Sequence, residues 1–312
     1  MYNYDWNKEF FKFDGGDEVH TTFNKNAIIE IQKRKQPNDF VLAFWGTGHH
    51  AICMAHQDLI CVEPGIGYGA TESFCKWRVY ESYALLHAAS PDMNTIGWYH
   101  AVIPNYYDLD EFEYTPELKE DYFLYIGRIL DCKGVNIAIE VTEKIGAKLV
   151  IAGQGSVETI GRSDWPAHVT YIGYADVATR KRLMSRAKGA FVLSTYIEPF
   201  GGVSVEHMLS GTPIITTDWG AFVENNVHGV TGYRCRTFEY IEWAARNIDK
   251  IKCKDCRDWA AANFSLDKVA NMYEEYFQMV LDVYTGEGWY EPHPDRKNLD
   301  WLYREFPVTN NL

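Results

Sequence analysis

The sequence has no apolar run near the roughly 18 residues that a membrane-spanning helix needs, and no secretory leader at its start. We expect a soluble, cytoplasmic chain that does not use the usual secretory route. It is also short of positive charge. There are 30 Lys and Arg against 43 Asp and Glu, a formal charge of −13. A surface that acidic repels phosphate backbones, so general nucleic-acid binding is not expected. Paired cysteines are missing too. Of Cys53, Cys61, Cys75, Cys132, Cys235, Cys253 and Cys256, only the last two form a CxxC pair, and no second pair completes a zinc site. Reduced thiols and no metal follow. Internal repeats and low-complexity tracts are absent. Residues 1 to about 38 lack the apolar strand that opens most α/β domains; they are polar and aromatic, with a turn signal at Gly15-Gly16.

What is present points to two domains. A chain of 312 residues exceeds the usual growth limit of one core, and 46% hydrophobic content is enough to build proper cores. The aromatic share of 15% suits sugar rings and ordinary cores alike. Phe40–Trp45 reads as a buried strand ending at Gly46, and Leu59–Val62 as a second, followed by a loop with Pro64, Gly65, Gly67 and Gly69. Ser73 is placed to cap a helix running to about Ala89, with Trp77, Tyr80, Ala84 and Leu85 at helical spacing. Val102–Asn105 closes this half. The acidic stretch 108–121, with Pro116, reads as a linker.

The second half alternates clearly. Strands at Tyr122–Ile126, Lys148–Ala152, Val169–Ile172, Ala190–Leu193 and Pro213–Thr216 are interleaved with helices at about Gly134–Ile145, Asp176–Ala187 and Gly202–Ser210. That order implies a parallel, doubly wound sheet, whose ligands bind beyond the carboxyl ends of the strands. Three helices follow, at about Thr237–Asp249, Lys254–Ala262 and Leu266–Tyr284. The division expected is a first lobe over 1–107, a linker over 108–121, a second lobe over 122–264, and a final helix and tail over 265–312.

Four strand-end segments carry chemistry. In Glu198-Pro-Phe-Gly-Gly-Val-Ser-Val-Glu206 two carboxylates are eight positions apart, and Gly201-Gly202 lead into a helix. Glycine admits close backbone approach, the helix start favours an anion, and carboxylates accept hydrogen bonds from vicinal hydroxyls. In Gly127-Arg128 through Lys133-Gly134 two cations flank a turn and suit a diphosphate. Gly153-Gln154-Gly155 with Gly173-Tyr174, and Thr216-Thr-Asp-Trp-Gly-Ala221 with Glu224, are further strand-end loops. Each segment alone is equally compatible with an ordinary connection.

Together, GRILDCKG, LVIAGQGS, VTYIGYA and EPFGGVSVEHMLSGTPIITTDWGAFVENNVHGVTGY resemble the carboxy-terminal half of family 4 glycosyltransferases, over roughly residues 102–283. The resemblance implies the GT-B fold, two Rossmann-like α/β lobes with a cleft between them. It implies a nucleoside-diphosphate sugar donor, a carbohydrate or other hydroxyl acceptor, retention of configuration and no required metal or other cofactor. It places Glu206 on the donor ribose and Glu198 near the donor sugar's hydroxyls. The amides of Phe200, Gly201, Gly202 and Val203 would meet sugar and phosphate, Arg128 and Lys133 the diphosphate, and Gly153 and Tyr174 the base. The amino-terminal half departs from the family pattern and reads as shortened. There Glu63, His49 and His50 are candidates to orient or deprotonate the acceptor. A nucleotide-sugar-binding pseudoenzyme or regulatory subunit, or a GT-B sugar-nucleotide epimerase, fits the same motifs.

Overall fold

The computed structural model describes residues 15–90, 96–290, 295–296 and 298–299. It divides into two units, one holding the described residues up to Tyr106 together with those from Leu266 onward, the other running from Tyr107 to Ser265.

The first unit opens with α1 (Glu18–Arg34), capped by Asp17, whose side chain accepts from the amide of His20 at 2.8 Å. The sequence pattern gives no hint of this helix. No residue of α1 is fully buried, because only Ala27, Ile28 and Ile31 lean on the small cluster around Val41, Ala43 and Ile52. Next come β1 (Phe40–Leu42), α2 (His50–Ala55), β2 (Ile60–Ile66), β3 (Trp77–Tyr80), α3 (Tyr83–Ala89) and β4 (Ala101–Val102). All pairings are parallel, in the order β1-β2-β3-β4.

Three expectations for this region are corrected. The strand expected over Phe40–Trp45 ends at Leu42, and Phe44 and Trp45 are exposed. β2 continues through Pro64 and Gly65, where the register with β3 shifts between Glu63 and Ile66. The helix expected from Ser73 is a strand and a shorter helix, and its cap is Ser82, which accepts from the Leu85 amide at 3.0 Å. Trp77, Val79 and Tyr80 are all buried, so an i, i+3 apolar spacing here belongs to a strand covered on both faces.

The second unit contains β5 (Glu120–Ile126), α4 (Val135–Ile145), β6 (Leu149–Ala152), β7 (Val169–Tyr171), α5 (Val177–Arg186), β8 (Ala187–Val192), α6 (Gly202–Leu209), β9 (Ile214–Thr217), α7 (Phe222–Asn225), β10 (Gly232–Cys235), α8 (Phe238–Arg246) and α9 (Cys253–Phe264). Its six parallel strands run β10-β9-β8-β5-β6-β7. The βα alternation read from the sequence is present, with α7 and β10 in addition. The segment expected as a linker is bound into this unit. The Leu109 carbonyl accepts from Arg257 Nη2 at 3.2 Å, and Lys119 Nζ donates to the Ala187 carbonyl at 2.9 Å and to Thr212 Oγ1 at 2.7 Å. One core fills the unit, from Phe123 and Leu124 on β5 to Ala260 and Phe264 on α9.

The last helix, α10 (Leu266–Thr285), returns to the first unit. Its Val269, Met272, Tyr276 and Val280 pack with Ile60, Val62, Trp77, Val79 and Ile103.

Candidate functional site

In the second unit the chain builds outward from β5 in one direction and from β8 in the other, so the strand order reverses between these two neighbours. A reversal of this kind leaves a crevice beyond the strand ends, where the loops diverge. The two loops that start there carry Lys133 and Glu198. Gly134 (φ +72°) lets them meet, since a Cβ on it would stand 2.2 Å from the Leu193 carbonyl oxygen.

Lys133 Nζ lies 2.9 Å from Glu198 Oε2 and 3.2 Å from Oε1. It also donates to the Tyr196 hydroxyl and sits 4.7 Å from the centre of that ring. Burial pulls the Lys133 pKa down, but the bonds to Tyr196 and Glu198 outweigh it, and the ammonium titrates above its ordinary value. Ser194 Oγ donates to Glu198 Oε2 at 2.6 Å. Lys133, Ser194 and Glu198, together with Gly127, Gly201 and Gly202, line a cavity of about 70 Å3. Ser194 and Tyr196 had no signal in the sequence beyond being polar residues just after a buried strand.

Beside the pair, α6 begins. Gly201 is left-handed (φ +76°), and a Cβ there would stand 2.5 Å from the Phe222 ring. Gly202 and Val203 line the cavity with first-turn backbone, whose amides have no partner within the helix. Phe200 has a different task. Its ring is buried against Phe264 and its carbonyl accepts from Asn225 Nδ2 at 2.5 Å, which anchors the loop from below. The loop after β9 closes on Glu198 from the other side, where the Ala221 amide donates to the Glu198 carbonyl at 3.0 Å.

One turn along α6 is Glu206. Burial raises its pKa, opposed by the charge of Arg180 and assisted by that of Glu111. Its carboxylate makes no hydrogen bond to another described residue. Gly153 (φ +154°) joins three strand ends. A Cβ on it would lie 1.8 Å from the Gly127 oxygen, its amide donates to the Gly173 carbonyl at 2.8 Å, and the Gly153 carbonyl accepts from Tyr171 Oη at 3.1 Å. Tyr174 is exposed beyond β7. Arg128 is exposed on the turn after β5, with its carbonyl held by Tyr125 Oη at 2.8 Å. The structure therefore gathers Lys133, Glu198, Gly201, Gly202 and Val203 around one small cavity. Arg128, Gly153, Tyr174 and Glu206 stand on neighbouring strand ends and α6 and do not line it.

In the first unit Glu63 is wholly buried, and its oxygens are engaged within the unit. Oε2 accepts from the amides of Phe74 (2.9 Å) and Cys75 (2.7 Å), and Oε1 from the Tyr68 hydroxyl (3.2 Å). Burial raises its pKa against these bonds. His49 stacks on Phe23 at 5.5 Å, and burial, then His20, lowers its pKa. His50 meets the Phe74 ring edge-on at 4.9 Å. Among the described residues no group of three or more His, Cys, Asp or Glu could hold a metal ion, and no helix is long and apolar enough to cross a membrane.

Residues 108–263 match the family model described as glycosyl transferases group 1. An uncharacterised glycosyltransferase of Methanocaldococcus jannaschii is 30% identical over 50% of this chain and 41% of its own length. The glycogen synthase of Mycobacterium tuberculosis is 32% identical over 36% of this chain and 29% of its own. The chain thus spans less than half the length of these curated relatives. Among solved structures, AviGT4, a glycosyltransferase of avilamycin A biosynthesis, superposes with a TM-score of 0.66 at 19% identity, covering 83% of this chain and 78% of that one. Anabaena HepE in complex with UDP and glucose gives 0.66 at 16% identity, covering 84% and 83%. These likenesses establish the fold as GT-B.

Proposed function

The chain belongs to the group 1 glycosyl transferases, and from that premise we propose that it moves a sugar from a nucleoside-diphosphate sugar to an acceptor hydroxyl, with retention of configuration and without a metal ion. The observation that carries this reading is the Lys133–Glu198 pair, held beside a glycine-led helix start at the point where the strand order reverses.

Lys133 and Arg128 would take the diphosphate, helped by the first amides of α6. Charge that grows on the leaving oxygen is then stabilised where it appears. Glu206, whose carboxylate meets no hydrogen-bond donor among the described residues, would accept from the ribose hydroxyls. Glu198, already oriented by Lys133 and Ser194, would accept from the donor sugar's hydroxyls. Gly153 and Tyr174 would flank the base. The acceptor hydroxyl would attack the anomeric carbon on the face from which the diphosphate leaves. The carbon–phosphate oxygen bond breaks as the new glycosidic bond forms, and the departing phosphate takes the hydroxyl proton. We read the four-stranded first unit as a shortened acceptor-side lobe. Within it we assign Glu63 to bracing, because both its oxygens are in use, which leaves His49 and His50 as the acceptor-side candidates.

A thermal-shift screen against UDP-glucose, UDP-N-acetylglucosamine and GDP-mannose tests this. A donor at about a hundred times its Kd adds roughly 2.7 kcal/mol of stability. Glu206→Ala should abolish the shift of the best donor and Lys133→Ala should weaken it. Undiminished shifts in both variants would refute the site. Slow hydrolysis of that donor, followed by NMR, should first release the sugar with its anomeric configuration retained. Bound donor that is never turned over would mark a binding protein, and epimerised donor an epimerase.

A further inference from the structure

A second hollow lies beside the Glu198 cavity and is not used by the mechanism above. It opens at the ends of β8, β9 and β10 with a volume of about 310 Å3, near the lower end of the roughly 300–1,000 Å3 typical of ligand sites. Thr195, Thr217, Asp218, Trp219 and Arg236 wall it. Ser194, which holds Glu198, stands in the walls of both hollows.

Trp219 is 47% exposed. Each other exposed tryptophan among the described residues packs on a ring: Trp45 on His20, Trp98 and Trp289 on each other, and Trp243 on Tyr233 and Tyr240. Trp219 has no ring contact and no hydrogen bond from its indole to another described residue. The floor beneath it is rigid. The Asp218 amide donates to the Cys235 carbonyl at 3.0 Å, the Thr217 hydroxyl to the Ser194 carbonyl at 2.7 Å, and Gly220 (φ +60°) is so close that a Cβ would stand 2.6 Å from the Glu198 nitrogen. Its polar edge is also set in advance. Asp218 Oδ2 is 2.8 Å from Arg236 Nε, and Oδ1 is 3.6 Å from Arg234 Nε.

This chemistry selects among ligands. A carboxylate between two guanidinium groups presents acceptors and donors side by side, which is what vicinal hydroxyls need. Asp218 already occupies the Nε faces of both guanidinium groups, so a phosphate would have to compete with it for them, and a purely apolar partner would desolvate the charges without replacing their water. An indole face next to such an edge suits a ring with an apolar face and polar rim. We propose that this hollow is a saccharide subsite, which takes one neutral sugar ring on Trp219, with its hydroxyls on Asp218 and Arg236. The class of ligand follows from the hollow itself. The ring's identity as part of the acceptor glycan rests on the transferase reading.

The test uses the full chain without nucleotide, in saturation-transfer NMR with maltotriose, cellotriose, chitotriose and mannotriose. At least one should bind. Trp219→Ala should weaken it by about tenfold or more, as truncation of an aromatic anchor does, while Trp219→Phe and Lys133→Ala keep it. Arg236→Gln, at a largely exposed side chain, gives a second variant with an expected loss. Binding of none of the four, or equal binding by Trp219→Ala and the parent, would overturn the subsite. In that event a preserved UDP-glucose shift leaves the donor reading standing. Saccharide binding without any nucleotide-sugar shift supports the subsite and removes the donor reading instead.

Discussion

His207 is fully buried in α6, and neither ring nitrogen has a hydrogen-bond partner among the described residues. Burial, then the charge of Lys119, lowers its pKa to about 3 from the ordinary 6.5. The unfolded chain therefore binds a proton that the folded chain refuses between those values. The stability contributed by a neutral His207 is full above about pH 6.5 and is lost as pH falls toward 3. His207→Leu removes two unpaired polar atoms at similar volume, so it should stabilise the protein at pH 7 by about 1–3 kcal/mol. It should also flatten the acid side of the stability profile. Urea titrations at pH 7 and pH 5 check both, and a variant with the parent's pH slope would clear His207 as the cause. The neighbouring motif residues were legible because spacing exposes them: Glu198, Gly201, Gly202 and Glu206 follow one strand and open one helix. Ser194 and Tyr196 were not legible, because a hydroxyl two or four positions before a glutamate carries no periodic signal. Gly153 is legible as a turn glycine, but not as the contact point of three strand ends. Gly153→Ala should cost well over about 1 kcal/mol, since neither the positive φ nor the 1.8 Å approach to Gly127 admits a methyl group. A lowered melting midpoint, with the donor shift measured on the remaining folded protein, checks it.

At the scale of elements, the second unit is easier to read than the first. Its central strands are continuous apolar runs ended by glycine, such as Phe123–Ile126 and Ile151–Gly153, and glycine there has a geometric reason. β10 escaped because Gly232–Cys235 is four residues long with an arginine inside it. In the first unit β2 contains Pro64 and Gly65, residues that ordinarily end a strand. They are tolerated where its pairing with β3 slips. Glu63 sits at that slip and ties the segment before β3 to β2 through the amides of Phe74 and Cys75. Glu63→Ala leaves both amides without an acceptor and should cost roughly 3 kcal/mol or more. Glu63→Gln keeps an acceptor oxygen and removes the buried charge, so it should lose much less. Urea midpoints, with protease cleavage around residues 70–76, distinguish the two. Equal losses would mean that the amides do not depend on this carboxylate.

On the scale of the whole molecule, chain order and unit membership disagree, and this has a consequence for folding. Among the described residues the second unit is one contiguous stretch, with its core drawn from residues 122–264. The first is split. Val269, Met272, Tyr276 and Val280 of α10 supply four of the nine buried residues in the cluster that covers β2 and β3. Burying one such side chain is worth about 1.5–3 kcal/mol, so four supply roughly 6–12 kcal/mol. That equals the entire net stability of an ordinary domain, about 5–15 kcal/mol. A fragment of residues 107–265 should therefore unfold cooperatively in urea by itself. A fragment of residues 1–106 should not, because Val62, Trp77 and Val79 would face water. Adding residues 266–312 in trans should restore its transition, as read by far-UV circular dichroism. Cooperative melting of 1–106 alone, at the midpoint it shows with the added segment, would mean that α10 covers the sheet without holding it together. The helix is readable from the sequence as an apolar stripe over about Leu266–Tyr284. Its destination is set by the exposed apolar face of a sheet two hundred residues earlier, which periodicity within the helix does not encode.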